Sequence, residues 1–504
     1  MTTLTTRWYA LAALALCTLA VGLDGTALSV ALPTLAGDLG ASTSDLQWFT
    51  TSYLLVLAAA LLPAGMLGDR FGRKRFLLGA LALFGLASAA CAYASTTGQL
   101  IAARSVLGLA SAVIMALMGA VVTVLFDERE RPRALAVWVT ANALGVPLGP
   151  LLGGWLLDHF HWGSVFLINL PLVVAGLIAV AAWVPESHGD RGRGSDPAGI
   201  LLVAAGLVAV TYGIIEAGER GWGDGRTRLI IASGVLSLIV LVFWQRRAAT
   251  PLIDLALFRN RAFTGGTLFA TIAGFAFFGL LFALPQLFQA AGGQDAFGTG
   301  LRLLPVIGGL VVGARIAGTL AGRLGVRVVI AAGLALMAAG LFAGALTSAA
   351  SPYGYVAFWI TLTGIGLGFT MPSSMNAALG ALTPERSGVG NGLIQALRQV
   401  GSAIGVAVLG MILNSGYRSA VGTAGLPERA ADAVRDSAAS GVAVAGQLGD
   451  PALLASVRAA FVSGMDLSLL VAGAVAAAGA VLALIIMPAH GTGSTPVVLA
   501  ESEA

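Results

Sequence analysis

The stretch GMLGDRFGRKRF, residues 65–76, crowds Asp69, Arg70, Arg73, Lys74 and Arg75 together in a chain whose charged content is only 10%. Lys74 is its single lysine. Apolar segments flank the cluster on both sides, each long enough at about 1.5 Å per residue to cross a hydrocarbon core of roughly 30 Å. The stretch therefore reads as the tight turn of a membrane-spanning helical hairpin. The remaining sequence agrees: with 57% hydrophobic residues and a mean hydropathy of +0.89, it lacks the polar material to cover a water-facing surface.

Apolar segments of this kind number about fourteen. The first begins near residue 8 and continues to Pro33, as a membrane helix rather than a cleaved leader. The expected fold is an all-α membrane protein of two six-helix bundles plus two extra transmembrane helices. Its expected divisions are an N-terminal bundle over 1–184, a linker carrying the extra pair over 185–261, a C-terminal bundle over 262–487 and a tail over 488–504. Basic residues are retained on the cytoplasmic side of short loops. Arg70, Arg73, Lys74, Arg75, Arg129, Arg131, Arg133, Arg246, Arg247, Arg259 and Arg261 share one side, which places both termini and the tail in the cytoplasm. The net charge of +4 thus reports topology, not nucleic-acid binding. Cys17 and Cys91 fall inside spans, and the histidines have no ligand spacing, so neither a disulfide framework nor a metal site is expected.

The chain repeats itself. ALPTL (31–35) recurs as ALPQL (283–287), and GMLGDRFGRKR (65–75) as GTLAGRLGVRV (318–328), at nearly one offset. The second copy keeps Gly318, Leu320, Arg323 and Gly325 but has Gly322 where the first has Asp69.

These segments resemble the major facilitator superfamily, specifically its fourteen-span drug:proton antiporters. LDGTALSVALP (23–33) is similar to the first-span signature, GMLGDRFGRKR to the loop motif between spans two and three, and GVPLGPLLGG (145–154) to the antiporter motif of span five. RNRAF (259–263), GLRLLP (300–305) and ERSGVGNGLIQALRQVGSAIGVA (385–407) are similar to patterns of the second half. The resemblance implies proton-coupled export of amphiphilic drugs, antibiotics or other toxic organic compounds across a bacterial cytoplasmic membrane. The proton gradient would be the energy source, with no cofactor, no enzymatic activity and a monomeric chain. It also implies a conformational latch at Gly65, Asp69, Arg70, Gly72 and Arg73, and an antiporter element at Gly145, Gly149, Pro150, Gly153 and Gly154. Gly145, Gly149 and Gly153 recur every fourth residue, so they form one smooth helical stripe that a neighbouring helix can approach.

Ionisable residues inside spans are costly and mark function. Asp24 lies deep in the first span and Arg104 near the start of the fourth, and the pair is expected to couple proton movement to transport. A carboxylate that binds either a proton or a cationic substrate makes the two mutually exclusive. The substrate cavity is expected to draw on Asp24, Tyr53, Asn142, Gln286, Asn391, Gln395 and Arg398, with Phe275, Phe278, Phe282 and Phe369 as aromatic wall. The chain departs from the resemblance at RSVLG (104–108), where Leu107 replaces a glutamine, and span thirteen carries Arg398 but no acid. A lipid or metabolite exporter on the same scaffold is the alternative; a membrane-embedded transferase would need clustered acids or histidines at one interface. LPERAADAVRDSAASGVAVAG (426–446) and DPALLASVRAAFVSG (450–464), inside the outer loop 413–462, are expected to form a helical hairpin outside the membrane.

Overall fold

The computed structural model describes residues 4–126, 130–188, 196–248, 250–382 and 384–488, and among them every regular element is helical. The first half comprises α1 (Leu4–Asp38), α2 (Thr43–Phe71), α3 (Arg73–Ala92), α4 (Thr97–Leu125), α5 (Arg131–His159), the short α6 (Ser164–Leu167) and α7 (Asn169–Trp183). A hairpin of α8 (Pro197–Arg220) and α9 (Gly225–Arg247) follows. The second half comprises α10 (Arg261–Gln286), α11 (Ala296–Arg302), α12 (Leu304–Leu324), α13 (Val326–Gly344), α14 (Tyr353–Gly380), α15 (Pro384–Ala420), α16 (Glu428–Asp436), α17 (Ala438–Leu448) and α18 (Pro451–Ile486). Thirteen helical segments among the described residues are long and apolar enough to cross a membrane. The 29-residue α5, packed along α1, completes the expected set. The tail beyond residue 488 lies outside the described residues.

Local chemistry sets the helix ends. Ser42 and Asp45 cap α2 reciprocally, the Ser42 hydroxyl accepting from the Asp45 amide at 3.2 Å and the Asp45 carboxylate from the Ser42 amide at 3.0 Å. Pro197 and Pro451 open α8 and α18 behind the capping carboxylates of Asp196 and Asp450, where a missing amide costs nothing. Between α2 and α3 stands Gly72 at φ +110°, a backbone conformation that a side chain would strain.

Two main apolar cores result, one centred on α1–α7 and one on α10–α18, each reaching across the seam, the first to Phe282 and Ala403 and the second to Val30. The extra hairpin belongs to the seam between them. Ile214 and Ile215 of α8 pack on Ala407 and Met411 of α15, while the rings of Tyr212 and Trp48 of α2 stand 5.9 Å apart. Helix α9 packs on α8 and turns Leu229, Leu236 and Phe243 outward, as a lipid-facing surface requires.

The expected hairpin at 426–464 is corrected in two places. The first arm breaks into α16 and α17 because Ser437 caps a new helix, its hydroxyl accepting from the Ser440 amide at 3.1 Å. The second arm is no separate helix but the start of α18, which passes through Gly464 where the α15 backbone at Leu413 and Tyr417 presses close. The Tyr417 hydroxyl donates to the Val434 carbonyl at 2.6 Å, tying α16 to α15.

At the other end Asp196 clasps the extra hairpin. Its buried carboxylate accepts from the Gly199 amide at 2.8 Å, Trp244 Nε1 at 2.8 Å, Gln245 Nε2 at 2.7 Å and the Leu252 amide at 3.4 Å. Burial pushes this carboxyl up, but the four donors outweigh it and hold it below the ordinary carboxylate value. A group depressed in the folded state contributes stability above its unfolded value of about 3.9, and that contribution is lost as pH falls through the folded value. Asp196→Ala is expected to cost about 1.5–3 kcal/mol near neutral pH, seen as a lower melting temperature in detergent. The gap from wild type should narrow below about pH 4. Identical melting at pH 7 would remove the clasp.

Candidate functional site

Helix α1 carries Asp24 into the interior of the first half, where it is 3% exposed and faces Arg104 of α4, 1% exposed. Arg104 Nη1 stands 2.6 Å from Asp24 Oδ2. Around this ion pair the surrounding helices supply further partners. Arg104 Nε donates to the Phe49 carbonyl of α2 at 3.1 Å, and its guanidinium lies 4.3 Å from the centre of the Tyr53 ring. Asn169 at the start of α7 donates to Asp24 Oδ1 at 3.2 Å and to the Ser88 hydroxyl of α3 at 2.9 Å. Tyr53 in turn donates to Ser111 of α4 at 3.1 Å. Five helices thus converge on one carboxylate and one guanidinium. The pairing of Asp24 with Arg104 was readable from two ionisable residues in apolar spans. Asn169 was passed over, although a lone amide opening the apolar run 169–184 carried the same signal.

The glycine stretch 145–154 locks α5 to α1. A Cβ at Gly145 would stand 2.8 Å from Gly22 Cα, and one at Gly149 would meet the Thr26 hydroxyl, with the Ala27 amide 2.9 Å away. The Thr26 hydroxyl itself donates to the Gly145 carbonyl at 3.2 Å, two residues beyond Asp24. Gly153 continues the stripe against Ala27, whereas Gly154 turns to the second half, where its Cβ would stand 2.8 Å from Phe297 Cα of α11. A Cβ on Gly300 of α11 would lie 3.0 Å from the Pro150 carbonyl carbon. Beside these contacts the Asp158 carboxylate accepts from the Ala296 amide at 3.3 Å and the Phe297 amide at 3.0 Å. Gln289 adds a hydrogen bond to the Val30 carbonyl of α1 at 2.8 Å. The two halves are therefore joined at this end by backbone and carboxylate together. Asp158, at the tip of α5 beyond the glycines, was not singled out from sequence, because an acid at a span end reads as interfacial.

At the opposite end the charged turn makes its contacts within the first half. Asp69 Oδ1 pairs with Arg73 Nε at 2.7 Å, and the Arg70 guanidinium lies 5.5 Å from the Phe71 ring centre. Glu186, just past α7, accepts from the amides of Lys74 at 3.0 Å and Arg75 at 3.3 Å, satisfying the open end of α3. Gly65 and Gly72, as parts of the latch, are expected to permit close helix approach; Gly72 instead turns the chain at positive φ. Gly65 does not provide the close approach: a Cβ there would meet only Ala116 Cβ at 3.8 Å, whereas at Gly68 it would run into Leu117.

A narrow crevice lies between the halves, lined by Gly25, Leu28, Ser29 and Leu32 of α1, Thr50 of α2, and Phe278, Leu281 and Phe282 of α10. Two of the expected aromatic residues, Phe278 and Phe282, are there. The polar ones are not among these lining residues. Asp24 and Tyr53 belong to the ion-pair network, and Gln286 donates to the Phe282 carbonyl of its own helix at 2.9 Å. Asn391, Gln395 and Arg398 lie on α15, where Arg398 Nε donates to Gln395 Oε1 at 2.9 Å. The side chain of Asn142 lies outside the described residues. Phe369 packs with Ala317 and Val329, away from the crevice.

A sequence profile of the Major Facilitator Superfamily matches residues 14–406. The chain is 34% identical to the Tetracenomycin C resistance and export protein of Streptomyces glaucescens, covering 95% of this chain and 91% of that one. It is 33% identical to the multidrug efflux pump LfrA of Mycolicibacterium smegmatis, covering 92% of both. Among solved structures, it is similar to an inward-facing, unoccupied bacterial homolog of the human lysosomal transporter Spinster. That likeness has a TM-score of 0.70 and 16% identity over 96% of this chain and 98% of that one, and speaks for the fold alone.

If Asp158 holds the two halves together, Asp158→Ala should loosen that end. A cysteine placed at Leu32, on the crevice wall, is then expected to react with a water-soluble thiol reagent several-fold faster than in the parent protein. Unchanged labelling would assign Asp158 to local capping of α11 only.

Proposed function

Because the chain belongs to the Major Facilitator Superfamily, we propose that it exports amphiphilic drugs or antibiotics in exchange for protons across a bacterial cytoplasmic membrane. The observation that carries this reading is the Asp24–Arg104 pair, the one carboxylate–guanidinium pair among the described residues that is sealed from water on both sides at mid-span. The named relatives, an antibiotic export protein and an efflux pump, support the direction and the class of cargo. The basic turn 70–75 and the charge distribution support cytoplasmic termini, which makes the Asp158–α11 contact the outer gate and the turn at 65–76 the inner latch.

Proton and substrate exclude each other here through conformation. The Asp24 carboxylate faces away from the crevice, whereas its neighbour Gly25 lines it. Protonating Asp24 removes half of a buried pair and leaves the Arg104 charge with only a carbonyl and a ring, a state about 3–5 kcal/mol less favourable unless the helices readjust. The readjustment has two rigid outlets. Helix α1 is interlocked with α5 through the glycine stripe, and α5 carries the outer gate. Arg104 grips Phe49 of α2, and α2 carries Asp69 in its last turn. Loading a proton from outside would therefore shift the balance between the two gates, and a rocking of the halves would carry substrate the other way. The chain needs no cofactor in this scheme.

The test is reconstitution in vesicles with an imposed pH gradient, following a fluorescent drug and proton flux together. Asp24→Asn keeps size and hydrogen bonding but carries no exchangeable proton, so gradient-driven accumulation is expected to vanish while equilibrium binding persists. Wild-type accumulation and stoichiometry in this variant would move coupling elsewhere. Asp69→Asn is expected to insert normally and slow transport at least several-fold, since it removes a charge-assisted bond worth about 1.5–3 kcal/mol in one state of the latch. Normal rates at matched expression would reduce the acidic member of the turn to a topology signal.

A further inference from the structure

We propose that Arg398 is the polar anchor of the substrate site, and that the preferred cargo is a planar aromatic molecule bearing an acidic oxygen: a carboxylate, a phenolate or an acidic enol. The proposal rests on the exporter reading and specifies its substrate class.

Asn391, Gln395 and Arg398 recur at i, i+4 and i+7 on α15, so they share one helical face, and all three are only partly buried although α15 runs through the protein interior. The Arg398 stem lies on α10 where that helix has no side chain. A Cβ at Gly274 would stand 3.3 Å from Arg398 Cγ, and Gly274 precedes the crevice residue Phe278 by one turn. The Arg398 stem therefore meets α10 one turn before the aromatic wall at Phe278.

What distinguishes it from Arg104 is its lack of a counterion. Arg104 has Asp24, the Phe49 carbonyl and the Tyr53 ring. Arg398 has Gln395 Oε1 at 2.9 Å, and among the described residues no carboxylate reaches ion-pair distance of it. A guanidinium carries five donors in a planar fork, and an unneutralised one inside a membrane protein is costly unless it faces water or a ligand that supplies acceptors. Planar carboxylates and enolates match that fork with two parallel hydrogen bonds. Phe278 and Phe282 offer faces for an attached ring system, and Leu28, Leu32 and Leu281 the apolar remainder. Ser29 and Thr50 are the only hydroxyl side chains in the crevice lining. No acid lines it, so a fixed cation finds no partner there, and the acid expected to serve it is committed to Arg104.

Fluorescein and rhodamine 123 share a xanthene core and differ in charge, and their binding to the purified full-length chain in detergent at pH 8 can be followed by fluorescence anisotropy. Wild type is expected to bind fluorescein about tenfold or more tightly than rhodamine 123. Arg398→Gln should lose that margin by weakening fluorescein binding about tenfold while changing rhodamine 123 less than about twofold, and Arg398→Lys should keep the preference with reduced strength. A wild-type preference for rhodamine 123, equal binding, binding of neither dye, or an Arg398→Gln protein that keeps the fluorescein margin overturns the proposal. The wild-type comparison decides even if a variant fails to fold. Binding requires no gradient, so failure of the exporter reading appears separately, as absent gradient-driven uptake in vesicles.

Discussion

The ion pair between Asp24 and Arg104 is the constraint around which the first half is built. At 2.6 Å and almost wholly out of contact with solvent, it cannot be broken without stranding a charge in an apolar interior. Every helix that touches it is therefore held by more than dispersion. Phe49 lends a carbonyl, Tyr53 a ring, Asn169 an amide, and Ser88 positions that amide from α3. A hydrophobic replacement would pack as well or better, since buried pairs add little net stability over apolar isosteres. The retention of charge at this depth is thus better explained by what a carboxylate can do, bind and release a proton, than by what it contributes to the fold.

The pair also sits where its movement has leverage. Glycine at 145, 149 and 153 brings α5 against α1 so closely that neither can slide past the other without a clash at Gly22, Thr26 or Ala27. A displacement of α1 is therefore passed to α5 undiminished, because close-packed backbone does not deform continuously. One residue past this stripe the same helix presents Gly154 to α11, and one turn further Asp158 to the α11 amides. The stretch that resembles an antiporter element is, in physical terms, a stiff coupling between the buried Asp24–Arg104 pair and the contact of Asp158 with α11.

Much of this was legible in the sequence, and the parts that were not share a cause. Asp24 and Arg104 stood out because charge inside an apolar run has few innocent explanations. The glycine stripe stood out by its period, and Gly72 by its place between two spans. Residues whose role depends on which other helix they meet gave no such signal. Asp158 looks interfacial until α11 is placed opposite it, Glu186 looks like a loop acid until the α3 amides are seen above it, and Asp196 looks like an ordinary cap until Trp244 and Gln245 close around it. The crevice wall follows a related rule. Polar side chains were expected to line it, but a buried polar group satisfies itself within its own bundle where it can, as Tyr53 and Gln286 do, and leaves the interface between halves to Leu28, Phe278 and Phe282.

Duplication makes the asymmetry of the two halves informative. The turn at Gly72 has its counterpart at Gly325, and both glycines adopt positive φ, +110° and +82°, so the backbone device survived in both copies. The acid–base pair did not: Gly322 stands where Asp69 would and Val326 where Arg73 would, although Arg323 and Arg327 keep basic charge there. The same division runs through the spans. The first half contains a neutralised pair, sealed off from the crevice; the second contains Arg398, partly open and answered only by a glutamine. A buried pair that is balanced internally can change protonation without a ligand present, whereas a guanidinium answered only by a glutamine can be completed by what it binds. On the proposed reading, proton handling falls to the first copy of the repeated bundle and substrate recognition to the second, and the rocking of the copies against each other would join them.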